Sequence, residues 1–163
     1  MSFENVRRYF VTAGLGNRII VPEKSSATVE EAANAIGCEP KQIAKTMSLF
    51  LEEKPILIVT AGDARIDNRK YKNTFHQKAK MIPAEQVENT VGHAPGGVCP
   101  FAVNPEVTVY LDVSLKRFAF VYPAAGSGHS AVKLSLGELE EHSRYVEWVD
   151  VCKGWEIDGQ AVS

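Results

Sequence analysis

A single mixed α/β domain is the fold expected of this chain, on three observations. At 163 residues it suits one domain, long enough to bury roughly 68–70% of the unfolded chain's surface in one core. Segments of helical period alternate with short runs rich in β-branched and aromatic residues, the pattern of helices packed on a sheet. No internal repeat, low-complexity tract or long linker divides the sequence. One sheet with about five helices follows, with residues 1–153 forming the domain and 154–163 a loosely held tail without a sustained apolar period.

Phe3, Val6, Tyr9, Phe10 and Ala13 fall at helical spacing, with Ser2 placed to cap the helix and Gly14 to stop it. A short extended stretch, 18–21, comes next. Thr28 and Glu31 make a capping box ahead of Ala32, Ala33 and Ile36, and Gly37 ends that helix. Pro40 suits a first helical position, so 40–44 should form one helical turn that delivers Lys45 to the start of a strand over 46–51. A hairpin through 52–55 leads to 56–61, which is apolar on both faces and therefore reads as a central strand. Helices are expected over 67–75 and 83–90. Three β-rich runs follow, 107–111, 118–122 and 131–134. Ser135 with Glu138 forms a second capping box before Leu139, and 145–151 supplies a last strand.

The composition excludes several classes. The longest apolar stretches, such as Ile56-Leu57-Ile58-Val59, fall far short of the ~18 residues of a membrane span, and the opening residues form no charged-then-apolar signal. A soluble, cytoplasmic protein with no membrane partner is expected. The three cysteines, Cys38, Cys99 and Cys152, are odd in number and widely spaced, so no disulfide framework is indicated and a reducing compartment is. A formal net charge of −2 argues against a protein that coats nucleic acid, since such affinity comes from Lys and Arg neutralising phosphates. Charge is nonetheless uneven. Six basic side chains stand against two acidic ones between Asp63 and Lys80, whereas seven acidic stand against two basic between Gly137 and Asp158. The basic run is either a solvated helix face or a local footprint for a polyanion.

The most unusual stretch is Gly92-His93-Ala94-Pro95-Gly96-Gly97-Val98-Cys99-Pro100-Phe101, with three glycines and two prolines within nine residues. Proline fixes φ and glycine permits close backbone approach, so this is a rigid loop able to present N–H groups to a carbonyl or a developing oxyanion, or else an ordinary tight turn. It matches neither a phosphate-binding loop nor a dinucleotide fingerprint. Lys45, between Ala44 and Thr46 in a mostly apolar run, either snorkels to the surface or points into a cleft that wants a cation. His76, His93, His129 and His142 include no pair at metal-ligand spacing, and His93 to Cys99 is too loose to count as one, so no metal and no cofactor is expected. No Gly-x-Ser-x-Gly elbow is present. Cys99 reads as a small buried hydrophobe or as a nucleophile without an identified base. His129, after Gly126-Ser127-Gly128, falls at a strand entrance near a pocket.

Taken together, Ile43-Ala44-Lys45-Thr46, the Gly96-Gly97-Val98-Cys99-Pro100-Phe101 loop, Gly126-Ser127-Gly128-His129 entering a strand and Leu134-Ser135 capping a helix resemble the YbaK-type family. These are freestanding aminoacyl-tRNA editing proteins related to the editing insertion of bacterial prolyl-tRNA synthetase. The resemblance spans roughly residues 3–150. It implies a mixed, mostly antiparallel sheet of barrel-like curvature flanked by helices, and a pocket between the lysine and the glycine loop. It also implies hydrolysis of the ester that joins a wrong amino acid to the 3′ end of a tRNA. In that pattern Lys45 holds the terminal phosphate or the ester. The backbone of Gly96, Gly97 and Val98, within a Gly-x-x-x-Pro loop ending at Pro100, positions the aminoacyl carbonyl. Thr46, Cys99, Pro100, Phe101, His129 and Ser130 complete the substrate site.

Two departures from the pattern bear on substrate. Ala102 stands where a glycine often follows the Pro-Phe pair. The cysteine-editing branch carries an aromatic in the early strand and an acid in the late strand, where this chain has Ile20 and Ala131. Alanine, serine, threonine or another small residue on a tRNA, tRNA-Pro among them, is thereby favoured over cysteine. The expected partners are the tRNA acceptor end and prolyl-tRNA synthetase. A non-catalytic module that holds an aminoacyl-adenosine or nucleotide in the same pocket is the competing expectation, and a Cys99 thiol enzyme is a third.

Overall fold

The computed structural model describes residues 2–22 and 28–155. Helix α1 (Ser2–Thr12) buries Val6 and Phe10 completely. Ser2 is its first helical residue, and the hydroxyl expected to cap the helix donates instead to the Gly126 carbonyl. After a 3₁₀ turn at Gly16–Arg18 comes β1 (Ile19–Ile20). The Thr28 hydroxyl accepts from the Glu31 N–H at 3.0 Å to start α2 (Val29–Ile36), and Gly37 closes it at φ 90°, as the sequence pattern requires.

The helical turn expected over 40–44 is shorter than that. A 3₁₀ turn covers only Pro40–Gln42, and β2 (Ile43–Leu51) begins at once, so Lys45 is its third residue rather than a junction residue. Glu52 and Glu53, at φ 52° and 69°, make a two-residue turn with positive φ at both positions, whose twist suits a tight hairpin. Pro55 lies inside the next strand, β3 (Lys54–Ala61). β4 (Arg65–Ile66), α3 (Asn68–Phe75) and α4 (Ala84–Val91) follow.

The second half supplies β5 (Thr108–Asp112), β6 (Phe120–Pro123), β7 (Ala131–Val132), β8 (Leu134–Ser135), α5 (Leu136–Ser143), β9 (Glu147–Val149) and β10 (Cys152–Lys153). The run expected over 118–122 starts late because a 3₁₀ turn at Val113–Arg117 uses Phe118 as its cap. The run expected over 131–134 splits at Lys133: β7 pairs with β1, while β8 pairs with β6.

Six strands in the order β8-β6-β2-β3-β5-β9 form a curled half-barrel. β1 with β7 and β4 with β10 form two separate two-stranded ladders where one sheet was expected. The longest ladder is antiparallel, eight residue pairs from Ala44↔Ala61 to Leu51↔Lys54. Inside the six-stranded sheet, however, β2–β6, β3–β5 and β5–β9 are parallel. β3 is the core strand: Ile56, Leu57, Ile58 and Val59 are each at most 2% exposed, a burial of ~1.5–3 kcal/mol per side chain. Trp155, assigned to the tail, is buried, and Arg117 ties its carbonyl and the Asp63 carboxylate to the sheet. Residues 156–163, the rest of that tail, lie outside the described residues.

Candidate active site

One cleft of about 240 Å³ gathers four pieces of chain. The start of β2 brings Ile43, Ala44, Lys45 and Thr46; the first glycine loop brings Pro95, Gly96 and Val98; the second brings Ser127, Gly128, His129 and Ser130; α2 turns Val29, Ala32 and Ile36 toward it. That α2 face recurs at i, i+3 and i+7, the spacing of one helical stripe.

Main-chain contact between the two glycine loops shapes the cleft. A Cβ on Gly97 would stand 2.6 Å from the Gly126 carbonyl and the Ser127 nitrogen, so only glycine allows this approach. Gly96 is looser, with Gly128 Cα 3.9 Å from where its Cβ would be. Pro95–Gly97 forms a single 3₁₀ turn in which the Gly97 N–H donates to the Ala94 carbonyl at 2.8 Å. The N–H groups of Gly96 and Val98, at the cleft, have no partner among the described residues. Two unsatisfied main-chain donors within one loop suit an acceptor oxygen that carries developing negative charge.

Lys45 is half-buried, without a hydrogen bond or ion pair among the described residues. Burial pulls its pKa below the usual lysine value, and the Cys152 thiol and the Asp63 carboxylate partly oppose that fall. A lysine kept from solvent and unpaired is a cation waiting for an anion. Ser130 is 8% exposed and accepts a 2.7 Å hydrogen bond from the Ser127 hydroxyl, which braces the second loop. His129 is exposed at the rim.

The structure does not bring Cys99, Pro100 and Phe101 to the cleft. Phe101 is 1% exposed and meets the Phe10 ring edge-on at 4.8 Å, while Pro100 faces a different cavity. The Cys99 thiol is completely buried, and that burial pushes its pKa up to about 12. His93, six residues before it, is in contact with this thiol: Nε2 lies 3.5 Å from Cys99 Sγ. The same Nε2 donates to the Phe101 carbonyl at 2.7 Å, so the ring is in its Nε2–H tautomer with Nδ1 buried and unpartnered. Burial lowers the His93 pKa and keeps the ring neutral. This pair braces the loop from beneath.

Sequence reasoning missed the docking of the second glycine loop on the first, although the two glycine clusters, 96–97 and 126–128, were its signal. Tyr122 and Pro22 also line the cleft, and no local pattern marks them. Ile20 and Ala131, where the sequence departs from the cysteine-editing branch, are directly paired across β1 and β7, with Ala131 in the cleft wall. Among the described residues, no group of three or more His, Cys, Asp or Glu is placed to hold a metal ion, and no helix is long and apolar enough to cross a membrane.

The curled sheet, a half-buried lysine and two glycine loops thus frame one cleft. Residues 23–141 match the family model of the aminoacyl-tRNA editing domain, and the chain belongs to that family. It is 49% identical over 96% of its length to the whole of "Uncharacterized protein YwhH" of Bacillus subtilis (strain 168). Over 78% of its length it is 29% identical to a proline–tRNA ligase of Bacillus licheniformis, of which it spans only 22%. A solved structure described as a candidate trans-editing enzyme for prolyl tRNA synthetase superposes with a TM-score of 0.83 at 27% identity, covering 94% of this chain and 98% of that one.

Proposed function

We propose that this protein is a trans-editing aminoacyl-tRNA deacylase that hydrolyses the ester of a mischarged small amino acid. The observation that carries the reading is the convergence of Lys45 with the free N–H groups of Gly96 and Val98 on one cleft, in a chain of the editing family. In this reading Lys45 pairs with the terminal phosphate or the ester. Water attacks the ester carbonyl, the Gly96 and Val98 N–H groups hold the tetrahedral oxyanion, and the ribose hydroxyl leaves with a proton. An aminoacyl ester is already activated, so fixed donors and a positioned water suffice. The vicinal 2′-hydroxyl of the substrate orients that water, and no protein nucleophile or metal is assigned a step.

The α2 face of Val29, Ala32 and Ile36 bounds the amino-acid side chain and favours a small one. The likeness to a proline–tRNA ligase supports tRNA-Pro as the acceptor and the synthetase as a partner, and tRNA charging places the reaction in the cytoplasm. Single-turnover hydrolysis of a panel of mischarged tRNAs tests the proposal. The wild type is expected to clear at least one ester, and Lys45→Ala to slow it about a hundredfold. Dialysis against a chelator should leave the rate unchanged. No hydrolysis of any ester, with a non-hydrolysable 3′-aminoacylamino analogue still bound, would establish the binding-module alternative instead. That alternative drew on Ala102, but Ala102 adopts φ 52° and so makes the glycine-type turn regardless.

A further inference from the structure

β2 changes partners along one edge, and the change leaves a gap. At Ile43 and Ala44 this edge pairs in parallel with Tyr122 and Pro123. From Ser48 to Phe50 it is taken by residues 80–82: the Phe50 N–H donates to the Lys80 carbonyl at 2.8 Å and the Ile82 N–H to the Ser48 carbonyl at 3.0 Å. The opposite edge is paired to β3 without interruption. Within a strand the N–H and C=O of one residue point to the same side, and successive residues alternate. Since the Ser48 C=O and the Phe50 N–H face away from β3, so do the Thr46 N–H, the Thr46 C=O and the Ser48 N–H. Among the described residues these three groups have no partner. The Thr46 hydroxyl is also buried without one.

A second cavity, about 200 Å³, opens on this interrupted edge. Thr46, Ser48, Met81, Val87, Pro95 and Val98 are among the residues that line it. Thr46, Pro95 and Val98 also line the cleft, so the two spaces adjoin. Met81 is 50% exposed, a flexible, polarisable side chain free to settle on an aromatic face. The edge offers donor, acceptor and donor in sequence between apolar walls. Its complement is a flat heterocycle carrying acceptor, donor and acceptor groups.

Resting on the deacylase reading, we propose that this cavity is a base subsite, in which the main chain of Thr46 and Ser48 reads the adenine of the esterified terminal nucleotide. Adenine presents N7, the N6 amino group and N1 as acceptor, donor and acceptor. The adjoining cleft holds the ribose ester, which is why the base in the cavity is the terminal one. Hypoxanthine, with a carbonyl at C6 and a proton on N1, reverses both of the groups that matter and is rejected.

The first measurements use the wild-type protein. The full chain is titrated with non-hydrolysable 3′-aminoacylamino-3′-deoxyadenosine and with its hypoxanthine counterpart, and mischarged tRNAs ending in adenosine or inosine are compared as substrates. Binding of the hypoxanthine ligand is expected to be about ten- to a hundredfold weaker. Thr46→Pro removes an N–H that faces away from β3, leaving the main ladder intact, and should bring the ratio toward one. Binding ratios within about threefold in the wild type, or no binding of either analogue, would overturn the subsite. Equal turnover of adenosine- and inosine-ended tRNAs would overturn it while leaving the deacylase reading in place. Discrimination in binding with no ester hydrolysed would do the reverse.

Discussion

Ala102 holds φ 52°, a conformation that costs an L-residue about 1–2 kcal/mol and glycine nothing sterically. Ala102→Gly should therefore stabilise the protein by about 0.5–1 kcal/mol once glycine's extra unfolded-state entropy is set against the relieved strain, measurable by denaturant unfolding. Gly97 is the reverse case. Gly97→Ala would drive a methyl into the Gly126 main chain and should cost about 1–3 kcal/mol, with loss of deacylation beyond the loss of stability, whereas Gly96→Ala should leave the melting temperature nearly unchanged. Cys99 needs no role as a nucleophile. A thiol with its pKa pushed up to about 12 stays protonated at neutral pH, so Cys99→Ser should keep full deacylase activity and Cys99 should resist alkylation in the native state.

Local signals in the sequence carried the elements they belong to. Thr28 with Glu31 and Ser135 with Glu138 are capping pairs three residues apart, and each caps the helix that its spacing indicates. What escaped was pairing between distant segments. Arg65–Ile66 meets Cys152–Lys153 through two residue pairs, too short to leave a period, and the parallel β3–β5 and β5–β9 ladders depend on the path of the whole chain. Lys45 and a pocket beside the glycine loop were legible through the family resemblance, but the second glycine loop's part in shaping that pocket was not, because the Gly97 contact with Gly126 is a tertiary event. The cap of α5 has a measurable consequence. Glu138 accepts from the Ser135 N–H at 2.8 Å and pairs with Arg18 at 2.8 Å, and these contacts hold its carboxyl below the usual range. A carboxylate with a lowered folded-state pKa contributes stability that is complete above its unfolded pKa and is lost as pH falls through the folded value. Glu138→Gln should therefore lower stability at pH 7 but not at pH 2, flattening the acid limb of a stability profile. Ser135→Ala should cost about 1 kcal/mol.

At the scale of the molecule, the basic run divides. Arg65 acts on the charge of Lys45, whereas Arg69, Lys72 and Lys78 line a groove of about 530 Å³ that shares no residue with the cleft. If that groove meets the phosphates of the acceptor stem, reversing all three charges should raise KM for a full tRNA and weaken its salt dependence. Turnover of a 3′-aminoacyl-adenosine should not change. The seam between the glycine loops has a further meaning for descent. Main chain meeting main chain is indifferent to every neighbouring side chain except the glycines themselves. On the deacylase reading, a lineage is free to exchange residues along the α2 face and so alter which amino acid it accepts, without touching the donors that open the ester. Selectivity and chemistry then evolve on separate clocks within one small domain.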